Sequence, residues 1–170
     1  GCHNTDLIRV PEERDLHLLE NTARDLRKKG GCLLLTAAPE VMPVDAAIRL
    51  SRAGAVLSAG HSQASYTEMH KARSHGFSGF THLGNAMSPV SGRDPGLLGA
   101  SLLSASGCWG SLIADGIHIH PDLIKLFLQQ AGKGGCQPFL VSDAMPATGS
   151  DNATFCLYGD QVFRRNGRLE

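Results

Sequence analysis

Apolar runs of strand length, alternating with segments of helix length, predict an α/β fold of repeated βαβ units for this chain of 170 residues. The runs lack polar alternation, as strands buried on both faces of a parallel sheet do. Each run also ends in a polar or reactive cluster: "TAAPE", "SAGHS", "THLGNAM", "ADGIHIH" and "VSDAMP". Active sites of (β/α)₈ barrels are assembled from the carboxyl ends of several strands, whereas a doubly wound sheet gathers its ligand at one switch point. No GxGxxG or Walker-type loop occurs, which weakens a nucleotide-binding sheet. The expectation is therefore a TIM-type (β/α)₈ barrel. It is incomplete, because such a barrel takes about 250 residues and the sequence offers about five βα units and the start of a small β segment.

The elements follow in order. "PEERDLHLLENTARDLRKKGG" opens with Pro11 and acidic residues and closes with basic residues before glycine, so its charge order suits the helix macrodipole. "CLLLT" reads as a strand, and "PVDAAIRLSRAG" as a helix with proline at its first position. "AVLSAG" is the next strand, and "ASYTEMHKARSHG" a helix closed by Gly76. "GFTHL" is a strand, "GLLGASLLSASG" helical or irregular, "GSLIADG" a strand, "HPDLIKLFLQQAGKGG" a helix and "PFLVSDA" a strand. In "ATFCLYGDQVFRRNGRLE" the pattern changes to alternating strands around "YGD" and "RNG" turns. The domain expectation is thus a central barrel portion over residues 1–150, then the start of a β-hairpin segment over 151–170 that leads into a missing region.

Composition narrows the partners. Sixteen basic residues balance sixteen acidic ones, so no net field draws the chain to nucleic acid or to an anionic membrane. The longest apolar runs are too short to span a bilayer, and the first residues lack the cationic start and apolar stretch of a signal peptide. Five cysteines without CxxC spacing indicate neither a disulfide framework nor a cysteine zinc site, and a reducing cytoplasm suits them.

The chemistry sits at the strand ends. His61 and His82 follow two successive strands and would face one barrel mouth side by side. A lone histidine after a strand is more often a hydrogen-bonded structural residue; two in register on consecutive strands suit a divalent metal such as zinc, which takes further protein ligands and leaves a position for water. His17, His70 and His75 lie on expected helices and read as solvated. Asp143 ends an apolar strand and is either a turn cap or a general base. Asp115 and His118 orient a substrate, or Asp115 and His120 cap the helix that starts at Pro121. The loop "NAMSPVSGRDPG" offers backbone N–H groups near Asn85 and Ala86, together with Arg93, as an anion site for a phosphate; Arg93 is equally a surface partner for Asp94. Glu40 is a metal carboxylate or the start of a loop.

As a set, "GCHN", "APE", "SAGHS", "THLGNAM", "GRDPGLLGA", "IADGIHIHP" and "VSDAMPATG", in this order and spacing, resemble the N-acetylglucosamine-6-phosphate deacetylase family of the amidohydrolase superfamily. The likeness runs over essentially the whole chain. It implies a metal-dependent barrel that hydrolyses the acetamide of N-acetylglucosamine 6-phosphate to glucosamine 6-phosphate and acetate. By matching residues, it implies His61 and His82 as metal ligands and Asp143 as the catalytic acid/base. His3 would contact the carbonyl side of the substrate, with Cys2 contributing its backbone. Asn85, Ala86 and Arg93 match phosphate-side contacts, Arg93 being able in the family to reach a neighbouring subunit's site. Asp115, Gly116, Ile117 and His118 match another substrate-binding stretch. The resemblance further implies a divalent cofactor (zinc, Fe²⁺ or another first-row metal) and a cytoplasmic homo-oligomer, a dimer, for the full-length enzyme, acting on a small phosphosugar without nucleic acid or membrane. The family's carboxylate ligand lies in an "HLEGP" motif absent here, expected upstream of this chain, and Glu40 does not match it. The alternatives are another metal-dependent amidohydrolase, acting on a cyclic amide or a deaminase substrate, and a non-catalytic truncated remnant; the phosphate-suited loop argues against the first.

Overall fold

Five strands pair side by side in the order in which the chain makes them. In the computed structural model the described residues are 6, 8–104, 107–145, 147–157, 159–165 and 168–169. They divide into two compact units, Val10–Val141 and Gly1–Arg9 with Ser142–Glu170, each taken by itself below.

In the first unit, β1 (Leu33–Ala37), β2 (Ala55–Ala59), β3 (Phe77–Phe80), β4 (Trp109–Leu112) and β5 (Gln137–Leu140) form one parallel sheet in the order β1-β2-β3-β4-β5. Helix α1 (Glu13–Lys28) precedes it, and α2 (Val44–Ala53), α3 (Tyr66–Ser74), α4 (Gly96–Leu103) and α5 (Pro121–Gly132) each carry one crossover. The strand order never reverses, so the sheet has no topological switch point, and sequential parallel strands are how a (β/α) barrel is built. The carboxyl ends of all five strands therefore open on the same side.

Local chemistry sets the helix limits. The Asp15 carboxylate accepts the Glu12 N–H at 2.9 Å at the start of α1. Ser65 and Glu68 form a reciprocal capping box at α3, and His120 Nδ1 accepts the Asp122 N–H ahead of α5. Gly54, at φ 102°, supplies the left-handed C-cap of α2. Pro43 stands just before α2 rather than at its first position, since its extended ψ of 135° lies outside the helix. The segment after Gly96, helical or irregular by sequence, is helical over Gly96–Leu103.

Leu50, Leu57, Met69, Phe80, Leu83, Leu97 and Leu112 are fully buried and form the core between sheet and helices. The expectation that every strand is buried on both faces holds at the centre of the sheet and fails at its edges. In β1, Leu33 and Leu35 pack on the core while Leu34 is 54% exposed; in β5, Leu140 is 75% exposed. Among the described residues, each edge strand has a pairing neighbour on one side only, so the surface that a second neighbour would cover stays open. Strand β5 is also shorter than "PFLVSDA" predicts: Val141 N–H still bonds to Leu112 O at 3.1 Å, and regular pairing stops there.

The second unit holds an antiparallel sheet of β6 (Thr154–Leu157), β7 (Asp160–Arg165) and β8 (Arg168–Leu169). Arg164 Nη2 ties it to the preceding turn by donating to the carbonyls of Ala147 and Ser150, both at 3.0 Å.

Candidate active site

The carboxyl ends of β2 and β3 approach so closely that only glycine fits at the first residue past β2. A Cβ on Gly60 would lie 2.8 Å from Thr81 Cβ and 3.1 Å from Thr36 Cγ2. Thr81 Oγ1 hydrogen-bonds both Thr36 Oγ1 at 2.8 Å and Ser58 Oγ at 2.7 Å, so a string of hydroxyls links the ends of β1, β2 and β3. This clamp precedes His61 and His82 by one residue on each strand.

The two imidazoles meet. His61 Nε2 and His82 Nε2 are 2.9 Å apart, with ring centroids at 4.7 Å and planes at 78°. His82 Nδ1 is 3.1 Å from the Asn85 carbonyl. A carbonyl only accepts, so His82 Nδ1 donates its N–H there, and Nε2 is the nitrogen turned to His61. His82 is buried, and neighbouring β4 holds its backbone: Ser111 Oγ accepts the His82 N–H at 2.7 Å, and Ser111 O accepts the Leu83 N–H at 2.8 Å. A polar residue inside the apolar run "GSLIADG" was the one signal in the sequence for Ser111.

The turn after His61 is fastened from two sides. Ser62 N–H donates to Ala86 O at 3.0 Å and Ser88 N–H to Ser62 O at 3.1 Å, locking it to the turn after His82. From the end of β1, Glu40 Oε2 accepts the Ser62 hydroxyl at 2.6 Å and Oε1 accepts the Gln63 N–H at 2.7 Å. Neither the metal-carboxylate nor the loop-start reading of Glu40 anticipated this bridge.

The remaining sequence-predicted residues are placed as follows. Asn85 folds back on its own turn, its side-chain amide donating to the carbonyls of His82 and Leu83 at 3.3 and 3.4 Å. Ala86 is exposed beside it, with its carbonyl on Ser62. Arg93 is exposed on the loop before α4. Asp94 turns its carboxylate to the backbone N–H groups of Gly96 and Tyr66, which hold it below the usual carboxylate range. After β4, Asp115 Oδ1 accepts the N–H groups of Ile117 and His118, both at 2.9 Å, and Oδ2 accepts His118 Nδ1–H at 2.7 Å. Those bonds, the backbone ones foremost, pull the Asp115 carboxyl down to about 2. Asp115 thus closes the Gly116-containing turn that presents His118, and His120 alone caps α5. Asp143 comes shortly after β5 and falls in the second unit. Cys2 and His3 lie outside the described residues.

Backbone strain singles out the same positions. The non-glycine residues at positive φ among those described are His61 (48°), His82 (35°), Ala86 (47°) and Asp143 (49°). Each such conformation costs on the order of 1–3 kcal/mol and concentrates where function constrains the chain. These are the two expected metal ligands, the expected acid/base and an expected phosphate contact.

The histidine pair fits a divalent metal. Two imidazole nitrogens at about 2.0–2.1 Å from a tetrahedral zinc stand about 3.3 Å apart, so the 2.9 Å pair needs only a small opening. The Asn85 carbonyl on Nδ1 is the outer partner that a ligating histidine takes to fix its tautomer. No group of three or more His, Cys, Asp and Glu side chains that could hold a metal ion gathers among the described residues. No helix among those residues is long and apolar enough to cross a membrane.

No family model matches the chain. It is 38% identical over 169 residues, 99% of its length and 41% of the relative's, to an N-acetylgalactosamine-6-phosphate deacetylase of Shewanella sp. (strain ANA-3). It superposes with a TM-score of 0.85 and 30% identity, over 99% of this chain and 42% of the other, on the crystal structure of N-acetylglucosamine-6-phosphate deacetylase from Pasteurella multocida. The chain belongs to the N-acetylglucosamine-6-phosphate deacetylase family. A variant of the Mycobacterium smegmatis deacetylase in complex with N-acetyl-D-glucosamine-6-phosphate matches equally, with a TM-score of 0.85 and 28% identity over 99% of this chain and 42% of that one. Membership of this deacetylase family confirms the α/β barrel of the amidohydrolases as the fold class, of which the chain holds a part. The chain spans about two fifths of the length of these relatives. Amidohydrolase deacetylases as a family are metal-dependent.

Proposed function

We propose that the protein hydrolyses the acetamide of N-acetylglucosamine 6-phosphate to glucosamine 6-phosphate and acetate. The observation that carries this reading is the convergence of His61 Nε2 and His82 Nε2 at 2.9 Å on strained strand-end turns. His61 and His82 hold a divalent metal, Zn²⁺ by ligand type, with Fe²⁺ or another first-row ion as alternatives. When bound, the metal supplies Lewis acidity that polarises the acetamide carbonyl and makes water a stronger nucleophile. The Asp143 carboxylate takes the proton of the attacking water and passes it to the leaving amine nitrogen, as the C–O bond forms and the C–N bond breaks. Asn85, Ala86 and Arg93 hold the phosphate, and Asp115, Gly116, Ile117 and His118, with Cys2 and His3, orient the sugar and its acetamide. Cytoplasmic location and a homodimer in which Arg93 serves the neighbouring site complete the reading.

The likeness to the Shewanella protein, named for the galactosamine epimer, favours a second reading in which the 4-hydroxyl is axial. Acetate release from the two phosphorylated epimers and from unphosphorylated N-acetylglucosamine decides between them. The expected order of kcat/KM places N-acetylglucosamine 6-phosphate first; a higher value for the galactosamine epimer moves the assignment to the second reading. Equal turnover of the unphosphorylated sugar, or no acetate from any of the three, overturns both. Asp143→Asn is expected to retain metal and lower kcat by about 10²-fold or more, while His61→Ala and His82→Ala lower the bound Zn²⁺ per chain, as read by elemental analysis.

A further inference from the structure

We infer that Glu40 is a positioning residue for the metal-binding histidines, acting through the turn that carries His61; this rests on the reading of His61 and His82 as ligands. Glu40 stands in the turn that ends β1, where Val41 N–H and Met42 N–H both bond to Ala38 O, at 3.1 and 3.0 Å. Strands β1 and β2 are parallel and in register, Ala37 opposite Ala59, so the turns at their carboxyl ends lie side by side. Both oxygens of the carboxylate reach across that gap. Oε2 accepts the Ser62 hydroxyl at 2.6 Å and Oε1 the Gln63 N–H at 2.7 Å, short distances that mark charge-assisted bonds. With its proton given to Glu40, Ser62 Oγ is free to accept the Ala64 N–H at 3.0 Å.

The bridge matters because of what it braces. His61, one residue before Ser62, sits at φ 48°, a conformation a histidine keeps only while its surroundings impose it. Ser62 N–H and O are also bonded to Ala86 and Ser88, on the turn whose Asn85 carbonyl orients His82. One carboxylate therefore braces the turn after His61 directly and, through Ser62, the turn after His82. Without it, the His61 turn can relax toward negative φ and carry Nε2 away from its partner. Outer residues of this kind change metal affinity by about 10–100-fold.

The test is a Zn²⁺ titration against a competing chelator on the wild-type protein, Glu40→Ala and Glu40→Gln, with thermal melting of each in the absence of metal. Glu40→Ala is expected to weaken Zn²⁺ binding about 10–100-fold with little change in metal-free melting. Glu40→Gln keeps an acceptor for the Gln63 N–H, and is expected to lose less; it carries the test if the alanine variant does not fold. Unchanged Zn²⁺ affinity in both variants, or a loss that only tracks a lowered melting temperature, overturns the inference and leaves the proposed reaction standing. A wild-type protein that binds no Zn²⁺ overturns the metal reading and this inference together. Weaker Zn²⁺ binding in the variants supports the inference whether or not the wild type releases acetate.

Discussion

At Gly60 the absence of a Cβ lets the ends of β2 and β3 approach closely, one residue before His61. The 2.8 Å between its notional Cβ and Thr81 Cβ leaves no room, and Thr81 is itself clamped by Thr36 and Ser58. Gly60→Ala is expected to cost about 1–3 kcal/mol of stability, the usual range for overpacking, and to weaken Zn²⁺ binding because the displaced segment leads into His61. Denaturant melts and chelator competition check both effects; an unchanged Zn²⁺ affinity would separate the close approach from the site. The histidines were legible as a pair because they follow two apolar runs in equivalent positions. The residues that orient them were not: Glu40 and Ser111 reach their partners across strands, and nothing along the chain marks which hydroxyl or carboxylate will face which turn.

At the scale of elements, α1 is fastened to α2 by one arginine. Arg49 donates from Nη1 and Nη2 to Glu13, both at 2.8 Å, and from Nε to Glu20 at 2.7 Å. The hydrogen bonds to Arg49 hold both carboxyls below their ordinary value of 4.5. A carboxyl depressed in the folded state stabilises the fold above its unfolded pKa, and that contribution is lost as pH falls through the folded value. Stability is therefore expected to drop as pH falls below about 4.5, and Arg49→Ala to flatten that drop; melting temperature against pH reads it. Helix starts and stops were legible because capping residues act within a few positions of each other, as Ser65 and Glu68 do. The ion-paired helix face was not, since Glu13 and Arg49 are brought together only when α1 packs on α2.

For the molecule as a whole, the open edges matter most. Leu34 and Leu140 stand 54% and 75% exposed on the two edge strands of the parallel sheet. Edge strands with apolar side chains invite pairing with further chain, so the 170-residue chain alone is expected to self-associate as concentration rises. Sedimentation velocity would show it, and Leu140→Lys would reduce it; a monomer at all concentrations would count against this expectation. By itself the sequence determined the alternation of strands and helices, the parallel sheet, and which strand ends carry reactive groups, because hydrophobic period, caps and turn residues act locally. Only the tertiary structure decided that the Nε2 atoms of His61 and His82 converge, that Asn85 sets the His82 tautomer, and that Glu40 braces the turn between them. Those are contacts between neighbouring strand ends, and their geometry depends on register and close packing that no local pattern encodes.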